Sequence, residues 1–362
     1  MNQKGLFKTT VIAIFLITVQ QGFSQGQFFF YKKKNYSIPK YEVIDIGFTA
    51  EKKINKPFSV EFGAAIVGPN GEEMKVPGFY NGDNQWILRF SSNTTGEWKF
   101  STYSEIKALN GKKGSIEITR SRNDKHGAIQ ISKNNTKKFS YEDGTPYQLQ
   151  AFELDWLFAL DYNNADATPK SDHMLELLAN NGINQIVTTV YSYDIKSENY
   201  DWTRDEKLKQ FTEHEFGGKD EIYPFLGTNK NPDFSALNIT FFKRFDRMVS
   251  AMDKNDMVAH LMIYVWNKNV NWPAVETEAD NMYFDYIIKR YQAFSNVIWD
   301  VSKEALNNKR CTEEYGRERI SRIDSLDAYD RLVTVHDYGF CNRNTDVVDF
   351  ISTQDWSINI LE

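Results

Sequence analysis

The sequence predicts two domains of different class: an N-terminal antiparallel β-sandwich followed by a (β/α)8 TIM-barrel-type domain. Three observations predict this. Residues 40–120 form short segments cut by Gly, Pro, Asn and Asp turns, with charged and apolar residues alternating and no useful helical period. From Tyr147 onward, apolar strand-like runs alternate with amphipathic helical ones. The strand-like runs of this second half end, one after another, in polar and aromatic residues.

Residues 1–24 read as an export signal. Lys4 and Lys8 form a basic start, and VIAIFLITV at 11–19 is an apolar core too short to span a bilayer as a settled helix. Gly22 and Ser24 place small residues where a signal peptidase reads them, so cleavage is expected before Gln25. No later run is long enough for a membrane span, and no lipobox cysteine lies near the cleavage site. A periplasmic or secreted protein is expected.

The formal charge is −6, and −8 once Lys4 and Lys8 are removed. Phosphate binding wants a basic surface, so a nucleic-acid partner is excluded on this balance. Aromatic residues make up 15% of the chain, with 8 Trp and 19 Tyr. Most pack cores, but Tyr and Trp also stack on flat apolar faces such as those of sugars.

In residues 40–120 the segments YEVIDIGFTA, FSVEFGAAIVGP, WILRFSS, GEWKFSTYS and GSIEITRS are the sandwich strands. Phe79, Tyr80 and Trp86 sit in a turn-rich stretch, as a sugar-binding patch or as packing against a neighbouring surface. Residues 121–146 connect the halves with two short strands and a tight turn at Asp143-Gly144.

The domain at 147–362 opens with a strand at 147–153, a helix at 171–182 stopped by Gly182, and a second strand at 183–191. A long polar and aromatic loop to about residue 234 precedes a helix at 242–255. The third strand, 257–266, is nearly all apolar, as a strand buried on both faces should be. A helix at 279–294, strand four at 296–301, a helix at 312–330, strand five at 331–337 and strand six at 347–355 follow. Eight strands usually need about 250 residues, and 147–362 supplies 216. Either two strands are atypical, another chain completes the wall, or the chain is shortened. No Gly-x-Gly-x-x-Gly follows strand one and no Walker-type loop occurs, so no nucleotide cofactor is expected.

In a barrel, chemistry is carried at the strand C-termini. Strand one ends near Glu153, Asp155 and Trp156. Strand two ends in Tyr191, Tyr193 and Asp194, and strand three in Trp266 and Asn267. Strand four leads to Glu304, strand five to His336 and Asp337, and strand six to Asp355 and Trp356. Each has a plain structural reading: Trp and Tyr fill the top layer and Asp caps the next helix. Glu304 could likewise sit in the first turn of a helix capped by Ser302. Repetition at six strand ends favours a mouth lined for sugar hydrolysis. There one carboxylic acid protonates the leaving oxygen, and a second carboxylate attacks carbon or activates water. Trp156, Tyr191, Asp194, Trp266, Asn267, His336, Asp337, Asp355 and Trp356 are the expected substrate-binding set. A carbohydrate polymer or oligosaccharide is the expected partner.

Cys311 and Cys341 lie in loops after successive strands, where a disulfide is geometrically possible in an oxidising compartment. The five histidines form no HExxH or comparable cluster, so no metal is expected.

The stretch from FSVEFGAAIVGP to GEWKF resembles the small β-sandwich found in front of bacterial polysaccharide-degrading barrels. FSYEDGTPYQLQ, FFKRFDRMV, IYVWNKNVNWP, NVIWDVSKEALN and LVTVHDYGF resemble the associated glycoside hydrolase-like barrel, a set that includes apiosidase-like enzymes. The resemblance spans roughly residues 40–356 and implies hydrolysis of glycosidic bonds in plant or algal polysaccharides. It assigns the acid/base position to Glu304. Two departures stand out. Related barrels often place Asn directly before that Glu, where this chain has Lys303. Their nucleophile comes from strand seven, which cannot be read here. Asp194, Asp337 and Asp355 are the local carboxylates that could substitute, and the alternative is a carbohydrate-binding or scaffold protein with an incomplete catalytic pair.

Overall fold

The computed structural model describes residues 27–32, 35–121, 125–154, 161, 167–192, 223–304, 306 and 309–353. The expected export signal at 1–24 lies outside them.

The N-terminal domain comprises β1 (Gln27–Phe30), β2 (Asn35–Pro39), β3 (Ile44–Thr49), β4 (Phe62–Val67), β5 (Glu73–Pro77), β6 (Phe79–Tyr80), β7 (Gln85–Phe90), β8 (Gly96–Ser104) and β9 (Lys113–Thr119). They form two sheets, ordered β1-β3-β7-β6 and β2-β9-β8-β4-β5. The sandwich is not purely antiparallel, because β1 runs parallel to β3 and β2 parallel to β9. Strand periodicity explains the core. Ile44, Ile46 and Phe48 of β3 and Trp86, Leu88 and Phe90 of β7 meet Phe62, Ala64, Ile66, Trp98 and Phe100 of the facing sheet.

The connecting segment is a three-stranded antiparallel sheet of β10 (Ile129–Ile131), β11 (Phe139–Tyr141) and β12 (Pro146–Tyr147). Tyr147, expected to open the barrel, closes this sheet instead. It packs with Ile129, Val258, Ile298 and Leu332.

The second domain is built on a five-stranded parallel sheet: β13 (Ala151–Glu153), β14 (Gln185–Thr189), β17 (Val258–Val265), β18 (Val297–Lys303) and β19 (Val333–His336), adjacent in that order. Helices α1 (Pro169–Asn180), α2 (Ile239–Lys254), α3 (Glu278–Tyr291) and α4 (Glu313–Leu326) connect successive strands, as in a (β/α)8-type barrel. A hairpin of β15 (Phe225–Gly227) and β16 (Pro232–Leu237) precedes α2, inside the stretch expected to be loop. The short α5 (Tyr338–Arg343) follows β19. Caps set the helix starts: Asn238, Thr277, Thr312 and Asp337 each accept a backbone N–H of the first turn. On α1 the buried face is Met174 and Leu175, while Leu177 is exposed.

The expected sixth strand is not formed among the described residues. Residues 347–353 follow the β19 edge through a few bonds only. Val333 N–H donates to Asp349 Oδ2 at 2.7 Å, and Thr334 Oγ1 donates to the Phe350 carbonyl at 2.8 Å. One backbone bond joins them, Asp349 N–H donating to the Val333 carbonyl at 2.9 Å, and the other contacts run through a carboxylate and a hydroxyl.

The outward side of the β3–β7 pair is not solvated. Asp45 and Arg89 face each other across it in register. The Arg89 guanidinium donates to Asp45 at 2.7 and 2.8 Å, to Asp246 of α2 at 3.3 and 3.2 Å, and to the Arg290 carbonyl of α3 at 2.8 Å. Arg290 donates to the same Asp246 at 2.8 and 2.6 Å, to Asn81 Oδ1 at 3.1 Å and to the Tyr286 hydroxyl at 2.7 Å. The Phe79 ring lies 5.1 and 4.7 Å from the two guanidinium carbons. Phe79, Tyr80 and Trp86 are therefore packing residues: Tyr286 donates its hydroxyl to the Tyr80 carbonyl, and Trp86 packs on Tyr80. Burial alone would raise the Asp246 carboxyl, but Arg290 and Arg89 hold it below its ordinary value.

Removing one partner of a buried, hydrogen-bonded pair strands the other charge, so Asp246→Asn should lower unfolding free energy by about 3–5 kcal/mol. A depressed carboxyl contributes stability above its unfolded pKa and loses it as pH falls. The wild-type advantage over Asp246→Asn should therefore be full above about pH 4 and shrink below it. Urea unfolding at neutral and acid pH checks both. A difference under about 1 kcal/mol at neutral pH would contradict the account.

Candidate active site

The ends of β17 and β18 lie side by side, with Val265 paired to Lys303 and Trp266 N–H donating to the Lys303 carbonyl at 3.2 Å. The next residue on each strand is polar. Asn267 Nδ2 donates to Glu304 Oε1 at 3.1 Å, which orients one carboxylate oxygen. Glu304 is half-buried and has φ +54°, a left-handed backbone that L-residues other than Gly, Asn and Asp rarely adopt. Such strain is kept where surrounding structure over-determines it, commonly at functional sites. The helix-cap reading of this stretch fails. Ser302 is inside β18, and α4 starts at Glu313 with Thr312 as its cap.

A β-bulge delivers Glu304 to this place. Against β19, Asp300 pairs with Thr334 but Lys303 pairs with His336, so β18 carries one extra residue over this span. Pairing resumes beyond the bulge, where Glu304 N–H donates to the His336 carbonyl at 3.2 Å. Lys303 is buried, and its ammonium is ion-paired to Glu153 at the end of β13. That pair links two strands that are not neighbours in the sheet.

Beneath the strand ends lies a polar network. Tyr147 donates to Gln185 Oε1 at 3.2 Å, Gln185 Nε2 lies 3.1 Å from His260 Nδ1, and His260 Nε2 lies 2.9 Å from Asp300 Oδ2. As the Gln185 amide is oriented, it donates to Nδ1, so His260 carries its proton on Nε2 and donates to Asp300. His336 Nδ1 is 3.5 Å from Ser352 Oγ, while its buried Nε2 has no partner among the described residues. Gln185, His260 and His336 line a cavity of about 640 Å³ shared with Ile129, Phe139 and Phe350. Glu304 is not part of that lining.

The other expected residues fare differently. Trp266 is 4% exposed and stacks on Tyr264 at 5.1 Å, so its ring is core, not a sugar platform. Tyr191 is also core, edge-on to Tyr223 and Trp272 at 5.4 and 6.2 Å. Asp337 caps α5, its Oδ1 accepting from Phe340 N–H at 3.0 Å. Trp156, Asp194, Asp355 and Trp356 lie outside the described residues. The possible disulfide is not formed: Cys311 and Cys341 are both free. Cys341 Sγ donates to the Val335 carbonyl at 3.0 Å, and burial pushes the Cys311 thiol up to about 12. Among the described residues no three His, Cys, Asp or Glu side chains converge as a metal site requires. No described helix is long and apolar enough to cross a membrane.

The family model described as "Apiosidase-like, catalytic domain" matches residues 133–359, and a domain of unknown function, DUF5060, matches residues 37–105. Among solved structures, a candidate glycoside hydrolase from Bacteroides vulgatus superposes with a TM-score of 0.68 at 22% identity, over 83% of this chain and 56% of its own. That likeness shows the fold. This chain thus spans little more than half the length of that protein. A family 5 mannosidase from Rhizomucor miehei reaches a TM-score of only 0.45 at 14% identity, over 64% of this chain and 62% of its own, and carries no argument. No curated protein matches the chain.

Two stability measurements follow from this geometry. Glu304→Gly removes the left-handed strain, partly offset by the freer unfolded chain, and should stabilise by about 0.5–1 kcal/mol. A loss above about 1 kcal/mol would mean that the Asn267 contact outweighs the strain. Trp266→Ala should cost about 3–5 kcal/mol in chemical denaturation, as a buried Trp does. A cost near zero would restore the platform reading.

Proposed function

Because this chain belongs to the apiosidase-like family, we propose that it is a glycoside hydrolase with Glu304 as its general acid/base. Its substrate is an O-glycosidic bond in a plant or algal polysaccharide or oligosaccharide. The observation that carries the reading is Glu304 itself: a strained carboxylate just past the C-terminus of a parallel strand, oriented by Asn267. A carboxylic acid so placed protonates the leaving oxygen as the glycosidic bond breaks, then as carboxylate takes a proton from water. The half-buried setting leaves it accessible to a ligand. The reading takes the protein to the periplasm or outside the cell, supported by the basic start and apolar core of residues 1–24.

A second reading, a carbohydrate-binding or scaffold protein, is favoured by one observation. The described carboxylates that could complete a catalytic pair are at least partly engaged: Asp337 caps α5 through Oδ1, and Glu153 is tied to Lys303. Asp194 and Asp355 lie outside the described residues.

Product analysis on plant and algal cell-wall polysaccharides separates the readings. Hydrolysis leaves saturated reducing ends, a binding protein leaves the polymer intact, and an unsaturated product would indicate a lyase. Glu304→Gln is nearly isosteric and should keep the fold while lowering turnover by about 10²–10⁴-fold. Unchanged turnover in that variant would remove Glu304 from the chemistry.

A further inference from the structure

Asp300 is fully buried in the middle of β18, four residues before Glu304. Its carboxylate reaches the backbone on both sides of the bulge between β18 and β19. The N–H groups of Ser302 and His336 both donate to Asp300 Oδ1, at 3.1 and 2.9 Å. One carboxylate oxygen has two lone pairs and can accept both. The other oxygen, Oδ2, accepts from His260 Nε2 at 2.9 Å and lies 3.7 Å from His336 Nδ1. His260 is held in turn by Gln185 and Tyr147.

The constraint passes to Glu304 through a single residue. His336 gives its N–H to Asp300, and its carbonyl accepts the Glu304 N–H at 3.2 Å. We propose that Asp300 is the positioning residue for Glu304. By capping the bulge from inside the sheet it fixes the His336 peptide, and so holds Glu304 in its left-handed conformation facing Asn267. Asp300 does not touch substrate. Its effect on the reaction rests on Glu304 being the acid, as read above. Without Oδ1, both N–H groups lose this buried acceptor and the bulge loses its support in this form. The strain at position 304 would then relax toward an ordinary negative φ.

The test uses the full chain with Asp300→Ala, Asp300→Asn and Glu304→Gln, on the phenyl and 2,4-dinitrophenyl glycosides of whichever sugar the wild type releases. Phenoxide is a poor leaving group and needs the acid, whereas dinitrophenoxide leaves without protonation. Asp300→Ala should lose about 10²-fold or more in kcat/KM on the phenyl glycoside, the scale of a lost general acid. On the dinitrophenyl glycoside it should lose less than about 5-fold, matching Glu304→Gln. Asp300→Asn keeps Oδ1 as acceptor but turns an NH2 toward the His260 Nε2–H, so its loss on the phenyl glycoside should be smaller than that of Asp300→Ala. Equal losses on the two glycosides, or no loss on the phenyl one, would overturn the proposal. If Asp300→Ala does not fold, Asp300→Ser carries the same test, since its hydroxyl reaches one N–H at most. Crystal structures of wild type and variant give a readout independent of activity. Residue 304 should leave positive φ and its N–H should leave the His336 carbonyl. An unchanged backbone at 304 would overturn the proposal. A wild type that cleaves no glycoside would instead sink the hydrolase reading, and the backbone comparison would still decide the role of Asp300.

Discussion

The buried charge cluster of Asp45, Arg89, Asp246 and Arg290 is the constraint on which the rest of the molecule depends. Four charged side chains from two domains neutralise and hydrogen-bond one another with almost no water contact. Charges in such a place are costly unless every donor and acceptor is met. Here the planar guanidiniums meet Asp45 and Asp246 through paired bonds, and the Phe79 ring covers them. This geometry permits one seating of the sandwich on α2 and α3. Those two helices connect β14 to β17 and β17 to β18. The sandwich thus reaches the site indirectly, by fixing the helices behind the strands that end in Asn267 and Glu304.

Elements with strong local signals were legible in the sequence. The runs at β17 and β18 are buried on both faces and apolar apart from His260 and the polar residues Asp300, Ser302 and Lys303, as central parallel strands largely are. Helices α2, α3 and α4 show helical spacing and good caps. Glu304 was placed at a strand end from the pattern of SNVIWDVSKEALN alone, and the structure brings it there together with Asn267. What was not legible is long-range. Arg89 and Asp246 are far apart in sequence, and nothing near either residue shows that they meet. The β15–β16 hairpin lies in a polar stretch with a weak alternation. Residues 347–353 have strand-like composition, yet they meet the β19 edge through one backbone bond, Asp349 N–H to the Val333 carbonyl, and through the Asp349 carboxylate.

Aromatic residues misled for a related reason. Trp266 and Tyr191 stand at strand ends, as sugar platforms do, but each is locked edge or face against other rings. Sequence position fixes the strand end, while packing decides whether a ring faces the mouth or the core. Asp337 shows the same ambiguity for carboxylates: one of its oxygens caps α5. The bulge between Asp300 and Lys303 was also out of reach, because a one-residue slip against a partner strand leaves no mark in either strand alone. It is that slip which turns Glu304 out of the strand register, and Asp300 and His260 pack beneath it as the polar support a bulge needs.

The account comes down to what residue 304 touches when a sugar is bound. A crystal structure of Glu304→Gln with an oligosaccharide of the cleaved polysaccharide measures this directly. The account predicts the glycosidic oxygen within hydrogen-bond reach of the amide at position 304, about 2.6–3.2 Å, with Asn267 beside it. An oligosaccharide seated on the sandwich or in the cavity between Gln185 and His336, with the side chain at 304 turned to solvent, would contradict it.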